Sequence, residues 1–512
     1  MQPKAIFIPN LTNINSNRLM LRKIRVTLAV LSIVMVTLLF LDFTGTAQRY
    51  LGWMAKIQFL PALLALNVGV IVLLVAMTLL LGRVYCSVIC PLGIMQDAFG
   101  WLGKKAKKNR YTHSRALTWL RLTMLAVMAV SIAAGLGIIV ALLAPYSAYG
   151  RIAQSILAPA WDGINNVLAA IAEHYGSYAF YTVDVWMRGG LTLGVAIATL
   201  VILGVLAFRG GRTYCNTICP VGTVLGYLSK YSIMRPVIDT EKCINCGLCS
   251  RNCKASCIDV REHSIDYTRC VACMDCIGKC SKGAISYRSR FGSRAAKPVE
   301  PAVDGGRRTF VVTALATAGA AGLKAAEKKV DGGLAVIEDK KKPERKTKIV
   351  PPGALSIRNL ESHCTACQLC VSACPNGVLR PSTDPESLMQ PESSYERGYC
   401  RPECTRCSRV CPTGAIRPIS REEKSSVQIG HAVWVKANCV PLTDGVECGN
   451  CARHCPAGAI QMVAVDPADP ASLHIPVVNT ERCIGCGACE NLCPARPFSA
   501  IYVEGHETHR SI

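Results

Sequence analysis

The stretch Cys243-Ile244-Asn245-Cys246-Gly247-Leu248-Cys249-Ser250-Arg251-Asn252-Cys253 sets four cysteines at C-x2-C-x2-C-x3-C spacing. The rhythm returns at Cys270, Cys273, Cys276, Cys280, at Cys364, Cys367, Cys370, Cys374 and at Cys483, Cys486, Cys489, Cys493. Two runs vary it: Cys400, Cys404, Cys407, Cys411 and Cys439, Cys448, Cys451, Cys455. This is the ligand spacing of paired [4Fe-4S] cubes. Three close thiolates hold one cube and the fourth, usually followed by Pro, reaches across to its neighbour. Pro follows at Pro375, Pro412, Pro456 and Pro494. Six runs predict six [4Fe-4S] clusters in three pairs, and the chain reads as an electron wire.

Structural zinc and disulfides are the plainer readings of so many cysteines. Zinc favours two C-x2-C pairs around a longer loop, or mixed Cys/His ligands. Only 9 His serve the whole chain, and only His454 falls inside a run. By the crossover rule, Cys243, Cys246, Cys249 and Cys280 hold one cluster, and Cys270, Cys273, Cys276 and Cys253 the next. Cys364, Cys367, Cys370 go with Cys411, and Cys400, Cys404, Cys407 with Cys374. Cys439, Cys448, Cys451 go with Cys493, and Cys483, Cys486, Cys489 with Cys455. Nested or exchanged pairing satisfies the spacing as well. Cys257 is left over, and reads as a small buried residue or a spare thiol near a cluster.

The 512 residues divide sharply in character. Apolar residues, 51% overall, concentrate in the first 210 positions. Stretches 26–43, 60–81, 122–143 and 191–208 approach or reach the ~20 residues of a bilayer crossing and carry almost no polar face. The first follows Arg22, Lys23 and Arg25 without a cleavage-like end, and reads as a retained helix. The net charge is +23, yet residues 349–512 carry 14 Lys and Arg against 16 Asp and Glu. The excess therefore sits beside the apolar stretches, at Arg18 to Arg25 and at Lys104, Lys105, Lys107, Lys108, Arg110 and Arg115. That is the positive-inside pattern of cytoplasmic loops, which puts segments 44–59 and 144–190 outside. No aromatic-interleaved basic motif points to nucleic acid.

The helical part repeats internally. Gly82-Arg83-Val84-Tyr85-Cys86-Ser87-Val88-Ile89-Cys90-Pro91-Leu92-Gly93 and Gly211-Arg212-Thr213-Tyr214-Cys215-Asn216-Thr217-Ile218-Cys219-Pro220-Val221-Gly222 agree at eight of twelve positions. A duplicated helical hairpin is the simplest account. Each half ends in a C-x3-C-P turn, so both turns are expected to face each other at one end of the bundle. Cys86, Cys90, Cys215 and Cys219 could then bind a seventh cluster, cycle as dithiols, or serve as inert packing turns.

Four units follow. Residues 1–235 form a membrane α-helical part, a four-helix bundle of two repeated hairpins. Residues 236–290 and 351–512 are small α+β bacterial two-[4Fe-4S] ferredoxin-like domains, two clusters in the first and four in the second. Residues 291–350 are a basic, Ala- and Gly-rich linker. Within it, Gly306-Arg307-Arg308-Thr309-Phe310 leads into an apolar stretch to Leu323, the form of a twin-arginine export signal. Ala318-Gly319-Ala320 offers a cleavage site, and a short fifth span is the alternative. Residues 236–290 are accordingly cytoplasmic, and 351–512 periplasmic, in a multi-pass protein of the bacterial inner membrane.

The two C-x3-C-P turns with a two-cluster unit behind them resemble NapH, the membrane component of a quinol dehydrogenase serving periplasmic nitrate reductase. They are similar also to the membrane polyferredoxin part of nitrous-oxide reductase regulators. The segment from Arg307 onward resembles NapG, the exported four-cluster partner, and the ferredoxin-type protein of methylamine utilisation. The departure is fusion of the two in one chain. The resemblance implies oxidation of membrane quinol and delivery of electrons to a periplasmic reductase or cytochrome, with the chain as the electron-transfer component of the dehydrogenase. It marks no quinol-binding or catalytic residue and no terminal acceptor. The competing reading is a membrane redox sensor or maturation factor whose clusters and dithiols carry no sustained flux. A transporter is weakest, because the apolar stretches hold no paired charges. No G-x-G-x-x-G follows a strand, which argues against a nicotinamide or flavin site.

Overall fold

The computed structural model describes residues 11–109, 111–186, 189–292, 330–331, 335–336, 338–469 and 471–512. The Arg307-Arg308 pair and the apolar stretch after it lie outside these.

Two of the four expected crossings form long apolar helices. Leu11–Leu41 contains an apolar window of 22 residues from Met20, and Gly190–Gly210 has 21 residues. At 1.5 Å per residue each spans on the order of 30 Å. The other two stretches are broken. Residues 60–81 divide into Phe59–Leu64 and Val68–Leu81, the latter only 14 residues. Leu66 takes a left-handed φ of 52°, and the Asn67 side chain accepts from Val70 N and restarts the helix. Residues 122–143 divide into Thr118–Ala133, of 16 residues, and Gly137–Leu143. There Gly135, at φ 71°, ends the first piece. An unbroken four-helix bundle is therefore not what this sequence forms.

The segments expected to loop outside are also helical. Thr46–Leu51 and Trp53–Lys56 fill much of the first, and Pro145–Ile152 and Ala158–His174 much of the second. Met54, Ala55, Phe59 and every residue of Pro145–Ile152 are buried, so part of each segment packs into the protein, while Trp161, Ile164 and Val167 of Ala158–His174 stay exposed. Tyr85 Oη donates to Gln58 Oε1 at 3.0 Å, and Tyr214 Oη donates to the Leu143 carbonyl at 3.4 Å. Each repeat thus ties its cysteine turn to its own returning segment.

The repeats interlock. The helix Pro91–Lys105, which follows the first turn, packs on Gly190–Gly210 of the second repeat, while Pro220–Ser229 packs on Val68–Leu81 and Thr118–Ala133. A Cβ at Gly103 would sit 2.0 Å from the Phe208 carbonyl oxygen. Only glycine lets these two helices approach so closely.

The first ferredoxin-like unit pairs Met234–Ile238 with Ile285–Ser289, antiparallel. It docks where the first long helix begins: Arg22 and Asp275 form an ion pair at 2.8 Å, and Ile233 N donates to the Leu79 carbonyl at 2.7 Å. Residues 338–512 form the second assembly, with Val427–Trp434 antiparallel to Ile501–Ser511 and Ile460–Ala464 antiparallel to His474–Val478. It docks where the same helix finishes. Ser372 Oγ donates to the Phe40 carbonyl at 3.1 Å, and a Cβ at Gly150 would meet the Cys367 carbonyl oxygen at 2.3 Å. One apolar core runs from Val271 in the first unit, through Cys86, Cys90 and Cys219, to Tyr146, Cys367 and Cys370 in the second.

Candidate cluster sites

The four regular runs share a backbone device. In each, the second residue after the first cysteine is left-handed: Asn245, Ala272, Ala366 and Gly485, at φ between 46° and 72°. The residue after the second cysteine is left-handed too: Gly247, Met274, Gln368 and Gly487. Such conformations are uncommon outside glycine and persist only where the surroundings over-determine them. Alternating turns of this kind aim successive N–H groups inward, making a concavity suited to an anionic group. A four-thiolate cube is such a group, so the loops fit it.

The structure brings together the cysteines that the crossover spacing grouped. Cys243, Cys246, Cys249 and Cys280 line one cavity, Cys253, Cys270, Cys273 and Cys276 a second, and Cys374, Cys400, Cys404 and Cys407 a third. Cys411 is in electrostatic reach of Cys364, Cys367 and Cys370, as is Cys493 of Cys439 and Cys451 and Cys455 of Cys483, Cys486 and Cys489. Burial pushes the Cys273, Cys367 and Cys486 thiols up to about 12. They stay protonated at neutral pH unless a bound cation takes the proton's place. No group of three or more His, Cys, Asp or Glu among the described residues could hold a single metal ion. Cys257 is buried, and its Sγ lies 3.6 Å from Cys253 Sγ on the wall of the second cavity. It is both of the things the sequence allowed, a small core residue and a thiol beside a cluster site.

The repeated turns face each other, as expected, and they do so in a buried place. Cys86, Cys90, Cys215 and Cys219 are 4–5% exposed and within electrostatic reach of one another in the interior. The reason is an exchange of arginines. Arg212 Nη1 donates to the Cys86 carbonyl at 2.6 Å, and Arg83 Nη2 donates to the Cys215 carbonyl at 3.4 Å. Each arginine therefore clasps the other repeat's cysteine turn. The glycine of each C-P-x-G makes room: a Cβ at Gly93 or Gly222 would lie 2.3 Å from the Cys86 or Cys215 carbonyl oxygen. Sequence reading missed these arginines, although Gly-Arg-x-Tyr-Cys is identical at every fixed position in both repeats.

A charge network locks the first unit onto this centre. Asp97 bonds Arg212 Nε at 2.7 Å and Lys254 Nζ at 2.9 Å, and pairs also with Arg25. Lys254 reaches Asp275 at 3.1 Å. Burial works against the Asp275 carboxylate, but Lys254 and Arg22 outweigh it and hold the group below the usual range. Lys254 follows Cys253, and Asp275 lies between Cys273 and Cys276, so the lock grips the second cluster site directly.

Models described as a 4Fe-4S binding domain match residues 63–110 and 191–238, one on each repeated turn. Models described as 4Fe-4S dicluster domains match residues 363–416 and 446–496. The methylamine utilization ferredoxin-type protein MauN of Paracoccus denitrificans is 30% identical over 213 residues, covering 40% of this chain and 58% of that protein. The ferredoxin-type protein NapH of Haemophilus influenzae is 27% identical, over 38% of this chain and 55% of its own length. The putative electron transport protein YccM of Escherichia coli is 27% identical, over 38% and 47%. The chain is a relative of the NapH and MauN ferredoxin-type proteins. The models show that it carries 4Fe-4S binding and dicluster domains. It spans about half the length of these curated relatives. No solved structure matches it.

Proposed function

We propose that the chain is a membrane-embedded electron conduit, the electron-transfer component of a quinol dehydrogenase, which draws on membrane quinol and supplies a periplasmic reductase or cytochrome. The observation that carries this reading is the placement of cysteine-lined sites at opposite ends of one apolar helix, joined by a single core. Large apolar side chains stand exposed along that helix at Leu28, Val30, Leu31, Val34 and Leu38, and along Gly190–Gly210 at Val201, Ile202 and Val205. A contiguous apolar belt of this kind is what lipid covers. The six crossover sets of cysteines are the ligands in this proposal. Each cube, when bound, supplies one-electron chemistry. The first unit faces the cytoplasm and the second the periplasm, following the basic loops.

The test is turnover. Anaerobic membranes containing the full chain, given a reduced short-chain quinol, should reduce the clusters at enzyme-like rates. They should turn over repeatedly once an acceptor is supplied at the periplasmic face. Slow reduction that stops at one stoichiometric equivalent would place the protein among redox sensors or maturation factors instead. Six sets require roughly 24 iron per chain, at four per cube. Zinc alone, or half that iron, in anaerobically purified protein removes the conduit.

A further inference from the structure

Electron tunnelling falls steeply with distance, and the two cluster-bearing units are separated by most of a helix on the order of 30 Å long. The four thiols of the repeated turns lie between them. We infer that Cys86, Cys90, Cys215 and Cys219 jointly hold a seventh cluster, a [4Fe-4S] cube shared by the two repeats, which links the two units. This rests on the cluster reading of the cysteine runs, and not on quinol as the donor.

Three independent features favour a shared anionic cluster over two dithiols or inert turns. The first is convergence. A dithiol needs one C-x3-C pair, whereas arginine exchange and close glycine contacts hold both pairs against each other in one buried place. The second is an array of donors aimed at sulfur. Gln96 Nε2 lies 3.2 Å from Cys215 Sγ, Gly222 N donates to Cys219 Sγ at 3.4 Å, and Arg83 Nη2 is 3.8 Å from Cys86 Sγ. Cys90 and Cys219 each cap the N-terminus of a long helix, Pro91–Lys105 and Pro220–Ser229, whose dipoles favour negative charge there. The third is a buried cation without a carboxylate. Arg83 is 0% exposed, forms no ion pair among the described residues, and leaves its Nε without a partner. A guanidinium so placed is costly unless an anion accompanies it. Neutral thiols supply none. A thiolate-ligated cube does, at the atoms Arg83 already touches.

The surroundings fit a link. Arg83 Nη1 donates to the Thr268 carbonyl at 3.1 Å, and Asn216 Nδ2 to the Ala255 carbonyl at 3.3 Å, close in sequence to Cys270 and Cys253. On the far side, Tyr214 and Arg151 lie in mutual electrostatic reach, and Arg151 in reach of Cys367. Carrying an electron here breaks and makes no bond. One electron enters from a reduced cube of one unit and leaves to an oxidised cube of the other.

The full chain purified anaerobically should contain about 28 iron, and the double variant Cys86→Ser/Cys215→Ser about four fewer, at four per cube. The variant should lose one electron paramagnetic resonance signal while keeping those of the six other cubes. Arg83→Gln should shift one midpoint potential downward, because removing a nearby positive charge disfavours the more negative reduced state. Arg83→Lys should restore most of that shift. A wild-type value near ~24 iron, with the four thiols recovered free or as disulfides, overturns the seventh cube and leaves six intact. Near-absence of iron would overturn the cluster reading itself, so the two failures are distinguishable without any variant.

Discussion

Single residues here act mainly through close approach and buried charge. Gly487 stands at φ 79°, and a Cβ there would come within 2.2 Å of the Tyr395 ring. Gly487→Ala should destabilise the second assembly by about 1–3 kcal/mol through overpacking. It should also lose the cluster of Cys483, Cys486, Cys489 and Cys455, seen as four missing iron by the same rule. Asp97 is the opposite kind of residue, a carboxylate holding three cations. Asp97→Asn leaves Arg212 and Lys254 buried and underpaired, and should cost about 3–5 kcal/mol. The Arg22–Asp275 pair is half exposed on its arginine side, so Arg22→Ala should cost no more than ~1 kcal/mol. Denaturant midpoints of the detergent-solubilised protein, compared across the two variants, check the contrast. Equal shifts would mean that Asp97 is as solvated as the surface pair.

At the scale of elements, the interlocked repeats make each cysteine turn depend on the other half. The Pro91–Lys105 helix reaches the Gly190–Gly210 backbone at Gly103. Gly103→Val should therefore push the repeats apart and disturb both C-x3-C-P turns at once. Labelling with a small thiol reagent should then report Cys86, Cys90, Cys215 and Cys219 together, where the wild type protects all four. Exposure of Cys86 and Cys90 alone would show that the repeats fold independently. Hydropathy missed the element breaks for a physical reason. Phe59–Leu64 and Val68–Leu81 are both apolar, so a composition window reads across the Leu66–Asn67 turn between them. Asn67, a capping residue inside an apolar run, was the available signal.

For the whole molecule, the proposed conduit makes the sites a series. Cys411→Ser should damage the cube of Cys364, Cys367 and Cys370 most and its neighbour less. Quinol-dependent reduction of the clusters of Cys243–Cys280 should survive, while delivery to the periplasmic acceptor fails. Full acceptor reduction in this variant, or loss of reduction in the first unit, would break the serial picture. In the proposed topology, export of residues 351–512 rests on Arg307 and Arg308. Replacing both by Lys should strand residues 351–512 in the cytoplasm, and a reporter fused after residue 512 would remain there. An unchanged reporter would show that the pair is incidental.

Legible in the residues alone were the six cysteine runs, the repeat and the 4Fe-4S spacing, while the pairing between runs was open. Ligand spacing is a local property: in the four regular runs three thiols within seven residues can close on one cube, and the two irregular runs keep their three within eight and thirteen. The same holds for the apolar stretches as composition, though not for their continuity as helices. Tertiary structure alone decided what depends on separated segments meeting. It carried Arg83 and Arg212 across to the opposite turn, packed Pro145–Ile152 into the protein, and set the two units at opposite ends of one helix. It also gathered Cys86 and Cys90 with Cys215 and Cys219, more than a hundred residues apart, into one buried centre. No spacing rule reaches that far, because the meeting is fixed by close backbone packing at Gly93, Gly103 and Gly222 and by buried charges that must find partners.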